Sequence, residues 1–147
     1  MLKSLVQDGL ATVEKEEQDG KPDKNVYAIT DMGRKVLTDW VLEPAEETPA
    51  RYEILLKLYF GEHVGPAKSV EALKKYQEEQ ENKLSIFKDI ENHMIHVCQH
   101  DPEKIYGLLT VRFGIAEAES RINWCQVSIA ELLQLEENSQ ITIGGSK

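Results

Sequence analysis

A seven-residue apolar repeat near the carboxy terminus restricts the fold of this chain more than any other feature. Two sets of apolar residues occupy the a and d positions of more than three consecutive heptads. They are Leu108, Ile115, Ile122 and Ile129, and Val111, Ala118, Cys125 and Leu132. Aspartate and proline at residues 101–102 supply an N-cap and a first-turn proline for this segment. The pattern predicts a long helix that packs along another helix.

The same helix carries a second apolar stripe beside the first. Its members are Leu109, Phe113, Ala116, Trp124, Val127 and Leu133. A helix with two apolar faces needs two neighbours, and one chain supplies only the preceding long helix. We therefore expect a homodimer, with the eight heptad residues at its interface. The alternative is a bundle within one chain that buries both stripes.

Two further helices are expected before the heptad helix. Threonine and proline at residues 48–49 suit an N-cap and a first helical position. They predict a helix over residues 50–60, which is apolar on most faces and should be buried all round. A proline predicts the start of a long helix over residues 66–97. Its middle, residues 74–83, is polar, and we expect it to face solvent or a partner.

The first residues of the chain are predicted to form the C-terminal end of a helix. The helical spacing of Leu2, Leu5 and Val6 predicts a helix over residues 1–8, and Gly9 can adopt the left-handed conformation that closes a helix. A helix of about two turns without an N-cap residue does not nucleate well in water. We therefore expect these residues to be the end of a longer helix whose front half lies outside this sequence.

A ribbon and a second helix follow. Strand-forming stretches at residues 10–17 and 26–29 flank a segment rich in turn residues, which predicts a hairpin. Thr30 suits the N-cap of the next helix, and Pro44 ends it. Gly33 in the first turn of that helix costs up to about 1 kcal/mol relative to alanine. The order of helix end, ribbon and helix is that of a winged helix-turn-helix after its recognition helix.

These residues resemble the wing region of PadR-family transcriptional regulators. The resemblance rests on Leu-Val-Gln-Asp-Gly-Leu at residues 5–10, Gly-Lys-Pro-Asp-Lys-Asn-Val-Tyr-Ala-Ile-Thr at 20–30, and Gly-Arg at 33–34. Residues 52–61 are similar to the start of that family's helical domain, and the remainder resembles its longer, virulence-activator-like branch. Family members carry two helices and most of a recognition helix ahead of the wing. We expect this chain to be the part that follows them.

The resemblance implies a mainly α fold with a small two-stranded antiparallel wing. This is a partial winged helix-turn-helix followed by a long-helix dimerisation domain. We expect the end of the recognition helix, the wing and the next helix in residues 1–44, and a linker in residues 45–49. The helical dimerisation domain should occupy residues 50–136, and a polar tail should occupy residues 137–147.

The resemblance also implies a transcriptional regulator that binds an operator in DNA as a homodimer. Lys21 and Lys24 in the wing would then contact DNA, together with Lys3 and Ser4 in the helix remnant. Wing cations bind phosphate and position the protein without reading sequence. The ordinary alternative is a solvated turn with two lysines. The alternative function is a dimerisation module that does not bind DNA and modulates a full-length relative.

Some members of the family sense small phenolic molecules between the winged and helical domains. The aromatic residues that could line such an effector pocket are Trp40, Tyr52, Tyr59 and Trp124. Packing in an ordinary core is the alternative explanation for aromatic residues at helical spacing.

Charge and motifs argue against several other classes of protein. The net charge is −9 and neither half of the chain is basic, so the average field does not attract nucleic acid, although a local patch can. No nucleophile elbow, phosphate loop or dinucleotide fingerprint is present, so we expect neither an enzyme nor a cofactor. Two cysteines are too few for a disulfide scaffold, and no apolar run is long enough to span a membrane. These features indicate a cytoplasmic protein.

Three histidines and one cysteine fall within residues 93–100. His93, His96 and His100 are spaced three and four apart, which could hold zinc, but no fixed zinc motif is matched. Cations near the end of a helix also complement its dipole, and we favour this interpretation over a metal site. Cys98 could be a half-buried thiol. The eight a and d residues of the repeat form one line along the helix, the heptad seam, and Cys125 on this seam is expected to be a small core residue.

Overall fold

The fold is mainly helical with one two-stranded antiparallel sheet, which confirms the predicted fold class. The computed structural model describes residues 2–17 and 24–144, with side chains as far as Asn138. In chain order the elements are α1 (Leu2–Gln7), β1 (Ala11–Glu16), β2 (Lys24–Ile29), α2 (Asp31–Val41), α3 (Glu53–Tyr59), α4 (Pro66–His100) and α5 (Ile105–Gly144). The chain divides into two compact units, Met1–Ala50 and Arg51–Lys147, which we call the wing unit and the helical unit.

Gly9 closes α1 in the predicted left-handed conformation. Its φ is 69°, and its amide donates a hydrogen bond to the carbonyl of Val6 (3.1 Å). The amide of Leu10 donates to the carbonyl of Leu5 (2.8 Å). These two bonds form a Schellman motif, which satisfies carbonyl groups that the end of a helix leaves open.

The ribbon and α2 follow as the sequence predicts, with small shifts at their ends. β1 and β2 pair in an antiparallel register that places Ala11 opposite Ile29 and Glu16 opposite Lys24. β2 begins two residues earlier than expected, because pairing with β1 extends it to Lys24. Thr30 is the N-cap of α2, and its side chain accepts a hydrogen bond from the amide of Gly33 (3.0 Å).

The apolar faces of α1, β2 and α2 line an open hollow in the wing unit. Its volume is about 380 Å³, and its walls include Leu5, Tyr27 and Leu37. Trp40 on α2 also borders the hollow and is 66% exposed. Gly33 is the one buried residue of α2, so its apolar stripe stays largely open within the described wing unit.

In the helical unit, α4 and α5 form an antiparallel helical hairpin. Arg112 of α5 pairs with Glu91 of α4 (2.8 Å), and Lys88 of α4 pairs with Glu119 of α5 (3.2 Å). Nine of the buried and half-buried residues of α4 recur at alternating intervals of three and four. They are Val70, Leu73, Gln77, Gln80, Leu84, Phe87, Glu91, Met94 and Cys98. This is a second heptad pattern, and it faces the first in coiled-coil packing.

α3 begins at Glu53, three residues later than the sequence predicts. Residues 48–51 form neither helix nor strand, and Tyr52 has φ −112° and ψ 111° while its ring lies against the guanidinium of Arg121. This tertiary contact outweighs the local capping signal. The prediction that this helix is buried all round is wrong for the single chain, because Leu56 is 61% and Tyr59 is 80% exposed.

α5 continues to Gly144, through most of the predicted polar tail. No glycine or proline lies between Leu132, the last apolar heptad position, and Gly144, so the helix extends past the repeat. None of the helices in the described part of the chain has the length and apolar character needed to cross a membrane.

Candidate functional site

A set of four residues holds the base of the ribbon against the two flanking helices. We call Gly9, Leu10, Thr30 and Gly33 the clasp. The hydroxyl of Thr30 donates to the carbonyl of Gly9 (2.8 Å), and the amide of Thr30 donates to the carbonyl of Leu10 (3.1 Å). A side chain at Gly33 would overlap the carbonyl oxygen of Leu10. The glycine therefore permits α2 to approach the end of α1 closely.

Three of the four residues predicted to contact DNA are described, and all three are exposed on the wing unit. Lys3 and Ser4 lie on α1, and Lys24 is the first residue of β2. Lys21 lies outside the described residues. The clasp connects the elements that carry Lys3 and Lys24, since it ties the end of α1 to the end of β2.

The heptad seam of α5 is covered mainly by α4 of the same chain. Leu108 and Ala118 are each 3% exposed, and Cys125 is fully buried. These three residues were expected at a dimer interface, and the structure instead buries them inside one chain, because the heptad residues of α4 face them. The other five seam residues are half-buried: Val111, Ile115, Ile122, Ile129 and Leu132.

The second stripe of α5 is the apolar surface that stays open in the single chain. Leu109 is 54%, Phe113 is 72% and Val127 is 52% exposed. Tyr106, one turn before Leu109, is 76% exposed. Apolar residues at this spacing on one helix face provide a surface that another helix can cover.

Within the helical unit, the structure brings together two of the predicted effector residues, Tyr52 and Trp124. Trp40 belongs to the wing unit, and Tyr59 is an exposed residue of α3 whose ring contacts Phe60 (5.1 Å between centroids). Tyr52 and Trp124 belong to one network through two residues that the sequence analysis did not single out. These are Arg121 and Tyr76.

Arg121 is the centre of that network. Its guanidinium lies 4.5 Å from the ring centroid of Tyr52 and donates to the hydroxyl of Tyr76 (3.4 Å). It also forms an ion pair with Glu117 (2.5 Å), and the Tyr76 ring meets Trp124 edge-on (6.5 Å between centroids). Burial opposes its charge, but its interactions with Tyr76, Glu117 and Tyr52 hold the pKa of Arg121 above its usual value. Arg121 directly precedes Ile122 of the heptad repeat, and the repeat does not distinguish it from the other polar residues of the helix.

The histidine-rich end of α4 has an ordinary structural arrangement. Nδ1 of His100 lies 3.0 Å from the carbonyl oxygen of His96, so the ring interacts with the last turn of the helix. Within the described ranges, no three His, Cys, Asp or Glu side chains are grouped so that they could hold a metal ion. Burial raises the pKa of the Cys125 thiol, and the nearby Glu81 carboxylate adds to this shift.

Comparison with known proteins places this architecture in a family. The family described as "Virulence activator alpha C-term" matches residues 50–133, which is more than half of the chain. The probable transcriptional regulator Rv1176c of Mycobacterium tuberculosis is 33% identical over 131 residues, covering 80% of this chain and 67% of that protein. The negative transcriptional regulator PadR of Bacillus subtilis is 31% identical over 86 residues, covering 57% of this chain. This chain belongs to the PadR family of transcriptional regulators.

Solved structures share the fold of this chain. B. subtilis PadR in complex with operator DNA superposes with a TM-score of 0.74 at 22% identity, covering 89% of this chain and 75% of that one. The same protein has been solved in complex with p-coumaric acid. The Vibrio cholerae virulence activator AphA superposes with a TM-score of 0.68 at 24% identity, covering 91% of this chain and 75% of that one. In sequence, the chain matches about half the length of B. subtilis PadR, 47%.

Proposed function

We propose that this PadR-family chain is a DNA-binding transcriptional regulator that acts as a homodimer. The observation that carries the proposal is the clasp, which connects α1, the ribbon and α2 in the order of a winged helix-turn-helix. The related PadR that superposes on this chain has been solved on operator DNA. The hollow of the wing unit offers an apolar face on which the other helices of a winged helix-turn-helix DNA-binding domain would pack.

The wing contacts phosphate in this proposal. Lys24 is exposed at the start of β2, and Lys3 and Ser4 are exposed on α1. We assign Lys21 to the same role from its place in the family motif. Because the net charge of the chain is −9, a local cationic surface rather than the average field must attract the DNA backbone.

The open stripe of α5 forms the dimer contact in this proposal. A two-fold axis beside Phe113 and Val127 would bury an apolar surface that one chain leaves exposed. A dimer with that symmetry presents two wings to paired half-sites on DNA. An operator-bound dimer would then regulate by excluding or recruiting polymerase.

We propose the domain boundaries on the same basis. Residues 1–44 form the carboxy-terminal part of the DNA-binding domain, residues 45–49 the linker and residues 50–136 the dimerisation domain. The division of the fold after Ala50 supports the position of the linker, and residues 42–52 contain no helix or strand.

Titration of the protein onto labelled DNA from the promoter of its own gene tests the proposal. We expect salt-sensitive binding, and we expect Lys24→Gln to reduce the slope of log affinity against log salt by about 0.9 for each protomer, or about 1.8 for the dimer. Lys35→Gln is the matched control, because Lys35 is a cation of the same unit that pairs with Asp39 on α2 (2.7 Å). Binding that is absent, or equally weakened by both substitutions, would contradict a wing contact.

A dimerisation module that does not bind DNA is the second candidate function. The open apolar stripe of α5 favours it, since that surface could pair with a full-length relative as well as with a second copy. Mixing the chain with a tagged relative and measuring the mass of the complex separates the two functions. Heterodimers without DNA binding by the chain alone would support the module.

A small-molecule effector is the final part of the proposal. B. subtilis PadR has been solved with p-coumaric acid, and we propose that an aromatic effector contacts the four residues that the sequence indicated. They are Trp40, Tyr52, Tyr59 and Trp124. Tyr52 and Trp124 are joined through Arg121 and Tyr76, which makes that side of the helical unit the best supported part of the pocket.

A further inference from the structure

A cavity that shares Tyr52 with the proposed effector site lies entirely within the helical unit, between the segment before α3, α4 and α5. Its volume is about 410 Å³, which is the size of a site for a small organic ligand. Two tyrosine rings, Tyr52 and Tyr76, form part of its wall. Four cations also line it, namely Arg51, Lys57, Lys75 and Arg121, together with two carboxylates, Glu53 and Glu79.

The charges in this cavity do not cancel. Four cations and two carboxylates give a formal charge of +2, in a chain whose net charge is −9. Lys57 pairs with Glu53 (2.8 Å), and Arg121 pairs with Glu117, which lies outside the lining. For Arg51 and Lys75, the described part of the chain shows neither an ion pair nor a hydrogen bond of the side chain. These two side chains therefore have charge and donors available for a ligand.

We propose that this cavity binds a small phosphate monoester with a planar group. A phosphate monoester is a dianion near neutral pH and can pair with both Arg51 and Lys75, whereas a monocarboxylate has only one charge for these two cations. Arginine and lysine donate strong, charge-assisted hydrogen bonds to phosphate oxygens. A planar group can pack against the rings of Tyr52 and Tyr76. The volume is too small for a nucleic acid.

The position of the cavity suggests how a bound phosphate ester would act. Arg51 and Tyr52 belong to the segment without helix or strand that begins the helical unit, directly after Ala50 at the end of the wing unit. A ligand held by Arg51 would fix this segment against α4 and α5. The site itself does not depend on DNA binding, because every residue that lines it belongs to the helical unit.

Fluorescence titration of the whole chain with phenyl phosphate tests this proposal. The chain contains two tryptophans, so a Trp40→Phe protein leaves Trp124, whose ring contacts Tyr76, as the only indole reporter. We expect a saturable change with phenyl phosphate, competition by inorganic phosphate, and binding of p-coumarate at least about tenfold weaker. Tighter binding of p-coumarate would overturn the phosphate site, and it would leave the proposed aromatic effector standing.

Two neighbouring lysines provide a matched pair of variants. Lys75→Gln removes a cation that lines the cavity, and Lys74→Gln removes one on the adjacent position of α4 that does not. We expect Lys75→Gln, and independently Arg51→Gln, to weaken phenyl phosphate binding about tenfold, and Lys74→Gln to leave it unchanged. Circular dichroism verifies that each variant is folded. No saturable binding by the parent protein, or equal weakening by both lysine variants, would refute the site.

Discussion

Gln80 places an amide at a position of α4 where the neighbouring heptads have apolar residues. Leu73 lies seven residues before it and Phe87 seven residues after it, both facing α5. Gln80 is 1% exposed, and its Nε2 has no hydrogen-bond partner in the described part of the chain. A buried donor without a partner costs about 1–3 kcal/mol. A polar residue at such a position can fix the register of paired helices at the expense of stability.

Replacing Gln80 by leucine should therefore stabilise the protein. We expect Gln80→Leu to raise the free energy of unfolding by about 1–3 kcal/mol, because it removes the unpaired donor and keeps a side chain of similar volume. Urea unfolding followed by circular dichroism measures the change. Gln77→Leu is the control and should give no such gain, since Nε2 of Gln77 already donates to Glu81 (2.7 Å). A Gln80→Leu protein that is less stable than the parent would show that the amide is satisfied.

At the level of single residues, the sequence predicts backbone signals better than side-chain surroundings. The left-handed Gly9 and the N-cap Thr30 were both predicted, because their roles depend on residues close in the chain. Gly33 was interpreted only as a helix cost, since its contact with Leu10 crosses the whole ribbon. Gln80 was expected to face solvent or a partner with the rest of its polar stretch, and it is instead buried within the chain. Periodicity does not reveal which residue of a polar stretch points inward.

The hairpin of α4 and α5 packs closely at two glycines of α5. A Cβ at Gly107 would lie 3.1 Å from the terminal methyl of Met94, and one at Gly114 would lie 3.0 Å from ring atoms of Phe87. The two glycines are seven residues apart, so the same face of α5 makes both contacts. Their partners differ in stiffness, because a methionine can change its rotamer and a packed phenylalanine ring cannot easily move.

Alanine at these two positions should have opposite effects. Gly107→Ala should stabilise the helix by up to about 1 kcal/mol, because alanine has the higher helix propensity and Met94 can adjust. Gly114→Ala should destabilise the hairpin by about 1–3 kcal/mol, since the new methyl displaces the Phe87 ring. Thermal unfolding of both variants under one set of conditions gives the comparison. If Gly114→Ala is as stable as Gly107→Ala, the ring of Phe87 is not held tightly.

Among the elements, the long helices were easier to predict than their partners. The heptads of α5 correctly indicated a packed helix, but Leu108, Ala118 and Cys125 meet α4 rather than a second subunit. An apolar repeat reports that a stripe is covered and does not identify what covers it. The facing pattern of α4 was hidden because polar Gln77, Gln80 and Glu91 fill three of its heptad positions.

At the scale of the whole molecule, α5 can join two chains while it also completes the hairpin of each. Its seam faces α4, and its second stripe is open at Leu109, Phe113 and Val127. Exposed apolar residues in a row on one helix are typical of an interface between subunits. The open stripe therefore makes assembly through α5 the quaternary arrangement that we propose.

A charge on the open stripe should separate the subunits without unfolding them. We expect Phe113→Asp to convert a dimer to a monomer in sedimentation velocity, because the proposed interface would bury an unpaired carboxylate. The helical circular dichroism should persist, since Phe113 is 72% exposed in the single chain. Ile122→Asp, in the half-buried seam, should lower the stability of the hairpin itself. Val26→Asp in the wing unit is the control and should leave the dimer intact. A Phe113→Asp protein that is still dimeric would exclude this stripe.

The clasp gives the wing the properties of an exchangeable cassette. Thr30 and Gly9 close the chain into a ring at the base of the ribbon, so the separation of α1 and α2 is set there and not at the tip. Lengthening a closed loop costs only about 0.6 kcal/mol for each doubling. The tip can therefore be lengthened, shortened or replaced by a foreign peptide with little effect on the two helices. Evolution and protein engineering can both use this freedom to change how far the wing reaches along a DNA backbone.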